Sequence, residues 1–349
     1  MQKFIIEGKN NQSQILIGEK IGNLNKYLPA GKVIVITDAN LMKHYSSLFT
    51  DFITIVIRPG EINKNLSTIE SIYEKLMKLD ADRSTFILGF GGGIVCDISG
   101  YVASTYMRGM NFGFVSTSLL SQVDASTGGK NGVNFRNYKN MIGTFNQPQF
   151  VICDHSLLNT LPEKEIRSGF GEIIKHCLIA DEEMFSFLEN NIKSALSLKP
   201  EIIEKLVLSS IKIKAGIVNI DETEKGERRK LNFGHTLGHA IESVSGLTHG
   251  EAISIGMVSA ARLSNYYKLI SEEKTERIEK LITAYGLPAS TNINFNIIFD
   301  RLIKDKKCDN NSIHFILLDD IGKATIKIIK LEELKIALKD NKNHRRKSP

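Results

Sequence analysis

Four cysteines in 349 residues, with no C-x-x-C pair among them, leave this sequence without the framework of a disulfide-stapled or Cys-type zinc protein. Cys96, Cys153, Cys177 and Cys308 lie far apart, the pattern of free thiols in a reducing compartment. No run approaches the roughly 18 apolar residues that span a bilayer. The first residues, MQKFIIEGKN, hold no apolar core of signal-peptide length, so a cytoplasmic protein is expected. A broad excess of charge is also missing. The formal charge is +6, and residues 339–349 account for +4 of it with five Lys/Arg and one Asp. The nearly neutral body argues for a basic tail and against a nucleic-acid face. There is no internal repeat and no low-complexity linker.

What is present is an ordinary globular composition, 42% hydrophobic and 24% charged, in a chain long enough for two domains. Val33–Asp38, Ile53–Ile57, Thr85–Gly89, Phe112–Thr117 and Phe150–Asp154 read as buried strands, because such continuous apolar runs suit a sheet covered on both faces. Leu66, Ile69, Ile72, Tyr73, Leu76 and Met77 repeat between them at helical spacing. The alternation predicts a Rossmann-like α/β domain over residues 1–155, with ligands at the carboxyl ends of its strands. Helical patterns then cover 163–179, 200–219, 235–244, 251–269 and 273–285, and a late hairpin, Ile313–Leu318 with Ala324–Ile329, turns at Ile321-Gly322. Residues 156–349 are expected to form a mostly α-helical second domain.

Three stretches carry chemistry. The first is the glycine loop from Gly89 to Asp97 (GFGGGIVCD), placed between a strand and a helix, where backbone N–H groups and a helix N-terminus suit a pyrophosphate. It lacks the G-x-G-x-x-G fingerprint, and a tight turn explains such glycines equally well. Asp38, closing the first strand, and Glu61, in Pro59-Gly-Glu-Ile-Asn-Lys64, are carboxylates at strand ends suited to ribose hydroxyls; together these favour a bound dinucleotide. The second stretch runs from Arg228 to Glu242 (RRKLNFGHTLGHAIE). His235 and His239 are four apart on one helix face, and His249 follows closely. Imidazole is the common ligand for zinc-like metals, although surface and capping histidines share this pattern. Spacing alone nominates His235 with His239, and Glu172 offers a carboxylate ligand three residues before Lys175. The third stretch, Ser116–Asn134 with Lys139–Gly143, gathers Asp124, Lys130, Lys139 and Asn140 on a glycine-rich backbone. That suits a phosphate or carboxylate, as does Arg108, and suits an ordinary polar loop too.

GGGIVCDISGYVASTYMRG, STSLLSQVDASTGGKNGVN, KNMIGTFNQP, GFGEIIKH, ERRKLNFGHTLGHAIE, HGEA, DKK and IGKA follow in order between residues 91 and 324. In that order they resemble the 3-dehydroquinate synthases, of the sugar-phosphate cyclase superfamily, over nearly the whole chain. The resemblance implies NAD, a divalent zinc or cobalt ion, an interdomain active site and a homodimer. The implied reaction is that of a carbon–oxygen lyase in aromatic amino acid biosynthesis. It turns 3-deoxy-D-arabino-heptulosonate 7-phosphate into 3-dehydroquinate and phosphate by transient oxidation, elimination, re-reduction and intramolecular aldol closure. The resemblance makes Glu172, His235 and His249 the metal ligands and moves His239 to the substrate phosphate, against the spacing argument. It places Lys130, Asn140 and Lys323 at that phosphate too, with Arg108 contributed by a partner subunit. Lys214, Arg228 and Asn232 fall at the substrate carboxylate, and Asp124, Lys175 and Glu224 around its hydroxyls and the metal. Asp38, Glu61, Lys64, Gly92, Gly93, Asp97, Thr117, Ser118, Lys130, Lys139, Leu157, Leu158, Asn159 and Thr160 fall where the family holds NAD. Ser118, Asn131 and Cys96 depart from the usual residues without removing a functional group. Two other readings are another cyclase of the superfamily and a metal-dependent polyol dehydrogenase of the glycerol type. The density of anion-binding groups weighs against the dehydrogenase.

Overall fold

The computed structural model describes every residue except 8–11, 137, 222–223, 304–307, 310 and 345–349. The DKK motif at 305–307 and the end of the basic tail therefore lie outside the described residues. The chain divides into two compact units: residues 1–162 with 203–215, and residues 163–202 with 216–349.

The first unit opens with β1 (Gln2–Glu7) and β2 (Gln12–Ile17), then β3 (Val33–Asp38), α1 (Ala39–Tyr45), β4 (Ile53–Ile57), α2 (Leu66–Lys78), β5 (Phe86–Gly91), α3 (Gly93–Thr105) and β6 (Phe112–Ser116). After it come β7 (Lys130–Phe135), β8 (Tyr138–Phe145) and β9 (Phe150–Cys153). Seven strands form one sheet in the order β1-β2-β9-β6-β5-β3-β4, parallel throughout except for β1 against β2. Every residue of β5, β6 and β9 is buried, which is why these strands read as unbroken apolar runs. Leu16, Val35, Phe86, Leu88, Phe90, Val115, Phe150 and Ile152 form the main core cluster.

Two hairpins went unread in the sequence. β1 and β2 are short, and three of the first strand's residues are polar. β7 and β8 form an antiparallel pair where the glycine-rich polar stretch suggested a flexible loop. Gly132 and Gly143 face each other across this pair, and a Cβ on either would meet backbone oxygen at 2.7 or 2.5 Å. Those glycines are there for a close strand crossing. Asn131 is buried at the start of β7 and donates to the carbonyls of Gly129 (3.0 Å) and Asn146 (2.9 Å). It thus ties this hairpin together.

Asp154, just past β9, is the joint between the sheet and the segment after β2. It accepts from Ile21 N (2.9 Å), Lys20 Nζ (3.1 Å), Ser156 N (2.9 Å) and Ser156 Oγ (2.7 Å). Burial alone would raise its carboxyl, but these bonds hold it below the usual carboxylate range. A lowered folded value gives stability that is complete above the unfolded value and is lost as pH falls through the folded one. Asp154→Asn is expected to cost about 1–3 kcal/mol at pH 7 in urea denaturation. The gap to the parent should shrink below about pH 4; a gap that stays constant with pH would contradict the assignment.

The second unit is built on α4 (Glu163–Ala180), α5 (Glu182–Asn190), α6 (Ile192–Leu196), α7 (Pro200–Ile220), α8 (His235–Glu242), α9 (His249–Tyr266), α10 (Glu272–Ala284) and α11 (Phe295–Ile303). The strands β10 (Cys308–Asp309), β11 (Ser312–Asp320) and β12 (Lys323–Lys330) form a small antiparallel sheet, and α12 (Leu331–His344) ends the described chain. Residues 203–215 of α7 cluster with the first unit instead. The β11–β12 turn needs Gly322: its φ is +81°, and a Cβ there would lie 2.6 Å from Glu182 N.

Candidate active site

In the first unit the sheet order reverses between β3 and β5, the topological switch point at which open α/β sheets bind ligands. Asp38 closes β3, and the glycine loop closes β5, which runs two residues past the predicted end and into the glycines. The N–H groups of α3 start immediately after Gly92. Packing is tight there as well, since a Cβ on Gly92 would meet Ser118 Oγ at 3.1 Å and one on Gly93 would meet Ala125 Cβ at 3.0 Å. Asp38 accepts from Asn40 N and Leu41 N as the cap of α1. Ser118 exchanges hydrogen bonds with Ser121, their hydroxyl oxygens 3.0 Å apart, and Thr117 is buried beside it. Leu157, Leu158, Asn159 and Thr160 lie in a short helical turn after β9, with Leu157 and Leu158 buried and Thr160 Oγ1 2.9 Å from Tyr45 Oη.

A polar chain then links the predicted residues. Asn134 Nδ2 donates to Glu61 Oε1 (2.8 Å), and Asn140 N donates to Asn134 Oδ1 (2.9 Å). Lys64 donates to Asn140 Oδ1 (2.6 Å) and pairs with Asp97. Burial pushes the Asp97 carboxyl up, with the Lys64 ammonium opposing it. Asn134, which sequence reading passed over, joins Glu61 to Asn140 in this chain. Lys214, on the part of α7 that belongs to this unit, pairs with Asp124 (2.8 Å) and also donates to its backbone carbonyl (2.5 Å). Lys130 and Lys139 are exposed on β7 and β8. Arg108 is exposed in a turn where Met107, Arg108 and Gly109 all have positive φ (48°, 69° and 122°). Two adjacent non-glycine residues in that region store about 1–3 kcal/mol each, a cost met mainly at functional positions.

The second unit carries the histidines. Glu172, at the centre of α4, is fully buried. Its Oε1 lies 3.5 Å from His235 Nε2 and 3.4 Å from His249 Nε2, and its Oε2 pairs with buried Lys175. A tetrahedral ion with bonds near 2.0–2.1 Å has ligand–ligand edges of ~3.3 Å, so both edges have the length such an ion requires. His235 Nδ1 donates to the carbonyl of Phe233 (3.1 Å), which leaves Nε2 with its lone pair toward Glu172. His249 Nδ1 lies 3.5 Å from Glu242 Oε2, a carboxylate that orients the ring and that motif spacing had not singled out. Burial alone would lower the His249 imidazole, but Glu172 and Glu242 pull it up to about 9. Two carboxylates facing one imidazole make the cluster suited to a cation. His239 lies beside both rings, with centroids 5.2 Å from His235 and 5.9 Å from His249.

Glycine sets these distances. α4 and α9 meet at Gly171 and Gly250, where a Cβ on Gly250 would sit 2.3 Å from Ser168 O and one on Gly171 would sit 3.1 Å from Gly250 Cα. A Thr248–Glu251 capping box starts α9 and fixes His249 in its first turn. Gly250→Ala is expected to force the helices apart, at a cost of about 1–3 kcal/mol or more, and to weaken metal binding at least tenfold. Calorimetry and a metal titration check this; an unchanged metal affinity would show that the close approach does not set the site.

A second group lies near the start of α8. Asp221 accepts from Lys225 N (3.1 Å), Gly226 N (2.7 Å) and Arg228 N (3.1 Å). Burial would raise its carboxyl, and these backbone donors hold it low instead. The loop so tied presents Glu224 at φ +62°, bonded to Asn232, and sinks Arg228 until it is 2% exposed. Asp221 was not among the residues picked out from sequence. Lys323 is exposed at the first position of β12.

The N-terminal 3-dehydroquinate synthase family model matches residues 54–168, and the C-terminal model matches residues 169–308. The chain belongs to the 3-dehydroquinate synthase family. A 3-dehydroquinate synthase of Dehalococcoides mccartyi strain BAV1 is 43% identical over 322 residues, covering 89% of this chain and 90% of that protein. One from Alkaliphilus metalliredigens is 38% identical over 346 residues, covering 96% and 97%. Among solved structures, 2-deoxy-scyllo-inosose synthase in complex with carbaglucose-6-phosphate, NAD+ and Co2+ superposes with a TM-score of 0.87 at 27% identity, covering 97% of this chain and all of that one. The 2-epi-5-epi-valiolone synthase of Streptomyces hygroscopicus subsp. jinggangensis, with NAD+ and Zn2+, gives 0.88 at 26%, covering 97% and 99%. A probable glycerol dehydrogenase from Sinorhizobium meliloti, at 17% identity and 0.68 over 96% and 97% of the two chains, shares the fold alone. Among the described residues of this 3-dehydroquinate synthase family member, no helix is long and apolar enough to cross a membrane.

Proposed function

We propose that this chain is a 3-dehydroquinate synthase acting on 3-deoxy-D-arabino-heptulosonate 7-phosphate, cytoplasmic and active as a homodimer. The observation that supports it most is the Glu172–His235–His249 set, with edges of 3.4 and 3.5 Å and oriented nitrogens, in a member of this family. Glu172, His235 and His249 fit a zinc or cobalt ion, and the first unit's strand ends fit NAD. When bound, NAD supplies reversible hydride acceptance at C5 and the ion supplies Lewis acidity to the neighbouring hydroxyls.

The chain's own groups do the rest. Lys130, Asn140, His239 and Lys323, with Arg108 from a partner subunit, hold the substrate phosphate. Their hydrogen bonds strengthen as it leaves by β-elimination, its own oxygen taking the C6 proton. Lys214, Arg228 and Asn232 hold the carboxylate, and the burial of Arg228 keeps that contact strong. Asp124, Lys175 and Glu224 orient the hydroxyls. Once the phosphate has left, the C5 carbonyl has been reduced again and the ring has opened, the contacts to the carboxylate and hydroxyls keep the open chain in a cyclising conformation, so that aldol closure proceeds as an intramolecular step.

The solved cyclases at 26–27% identity support one rival, a cyclase for a sugar phosphate without a carboxylate. Turnover should be measured in parallel on the heptulosonate phosphate and on glucose 6-phosphate. The proposal expects kcat/KM for the acid to be higher by a factor of about 10⁴ or more, as for sites whose buried polar groups are left unpaired by the analogue. Equal or reversed preference would favour the rival.

A further inference from the structure

His249 faces two donor sets. Its Nε2 is 3.4 Å from Glu172 Oε1, and its Nδ1 is 3.5 Å from Glu242 Oε2. His239 lies three residues before Glu242 on α8 and so shares its face. Ligand atoms of His239, Glu242 and His249 all fall within 4.8 Å of one another, as do those of Glu172, His235 and His249. The first three residues are all partly exposed, whereas Glu172 and His235 are buried. Two imidazoles and a carboxylate are a donor set that zinc and cobalt accept.

We propose that His239, Glu242 and His249 form a second, outer position for a divalent cation, alternative to the inner one. This rests on the reading that Glu172, His235 and His249 hold the ion used in the reaction. A neutral imidazole has one lone-pair nitrogen, so His249 serves one position at a time. With Nε2 as ligand, Nδ1 carries its hydrogen toward Glu242; with Nδ1 as ligand, the other tautomer is required. The chain therefore holds one ion, inner or outer. An ion in the outer position also occupies His239, the imidazole assigned to the substrate phosphate, so outer loading gives an inactive form. The inner set, with buried Glu172 and the tautomer fixed by Phe233, prevails in the intact protein.

The test is a Co2+ titration, followed by calorimetry and by the cobalt absorption spectrum, on the full-length parent, His235→Ala, His239→Ala and the double variant. Circular dichroism checks folding, and His235→Gln replaces His235→Ala where the alanine variant fails to fold. The parent and His239→Ala should bind one equivalent with affinities within about threefold and the same spectrum. His235→Ala should still bind one equivalent, more weakly and with a different spectrum. Adding His239→Ala to it should weaken binding at least tenfold more. An inner-disrupted variant that binds no cobalt, or an effect of His239→Ala no larger in that background than alone, would overturn the outer position. If His239→Ala alone abolished binding while His235→Ala left affinity and spectrum unchanged, the inner assignment itself would fall, a different result from either of those.

Discussion

Replacing His235 with alanine is expected to lower turnover by a factor of about 10³ or more, equivalent to some 4 kcal/mol of lost transition-state stabilisation, and to weaken metal binding in parallel. The argument is geometric. His235 Nε2 stands at a tetrahedral edge from Glu172 Oε1 because Phe233 O fixes the ring from the other side. A different result is expected four residues on: with His239 at the substrate phosphate, as proposed, His239→Ala should cut turnover by a factor of about 10²–10³ while the metal stays bound. Paired metal analysis and kinetics separate the two. Loss of metal from His239→Ala with His235→Ala unaffected would reverse the assignment.

The second large effect is expected at Lys175. Its ammonium is 1% exposed and pairs with Glu172, itself fully buried. Removing one member of a buried pair leaves an uncompensated charge and costs about 3–5 kcal/mol. Lys175→Met should therefore lower the stability of the metal-free protein by about that much, and saturating zinc should restore a large part of it, because the cation takes over the neutralisation of Glu172. Turnover should stay low even when zinc is saturating, by a factor of about 10² or more, if Lys175 orients substrate hydroxyls as proposed. Thermal unfolding with and without zinc, next to kinetics at saturating zinc, checks both halves. Full recovery of activity on metal loading would confine Lys175 to charge balance.

The parallel sheet was readable because its strands are unbroken apolar runs, buried along the central strands and partly exposed at the edge strand β4: Val33–Asp38 and Ile53–Ile57 have the same ends in sequence and structure. The helix beginning at Glu163 was equally plain. The β7–β8 hairpin was not, because its glycines serve a cross-strand approach that looks like flexibility in one dimension. The helices α5, α6, α11 and α12 also escaped, being short or, in α12, strongly polar. In the site the histidine cluster was visible, but spacing paired His235 with His239. The geometry groups His235 with Glu172 and His249, residues brought together by the Gly171–Gly250 contact, which no periodicity encodes. Asn134, Asp221 and Glu242 escaped notice for a related reason. Each acts by bonding to a functional residue, and an Asn or a carboxylate in a polar stretch carries no mark of its partner.

The most direct test of the synthase assignment is to supply the heptulosonate phosphate to the metal-loaded enzyme with NAD at a small fraction of the substrate, and to record phosphate and NADH together. The account predicts many phosphates released per NAD with no net NADH. NADH accumulating one for one with substrate consumed, or no phosphate released, would contradict it.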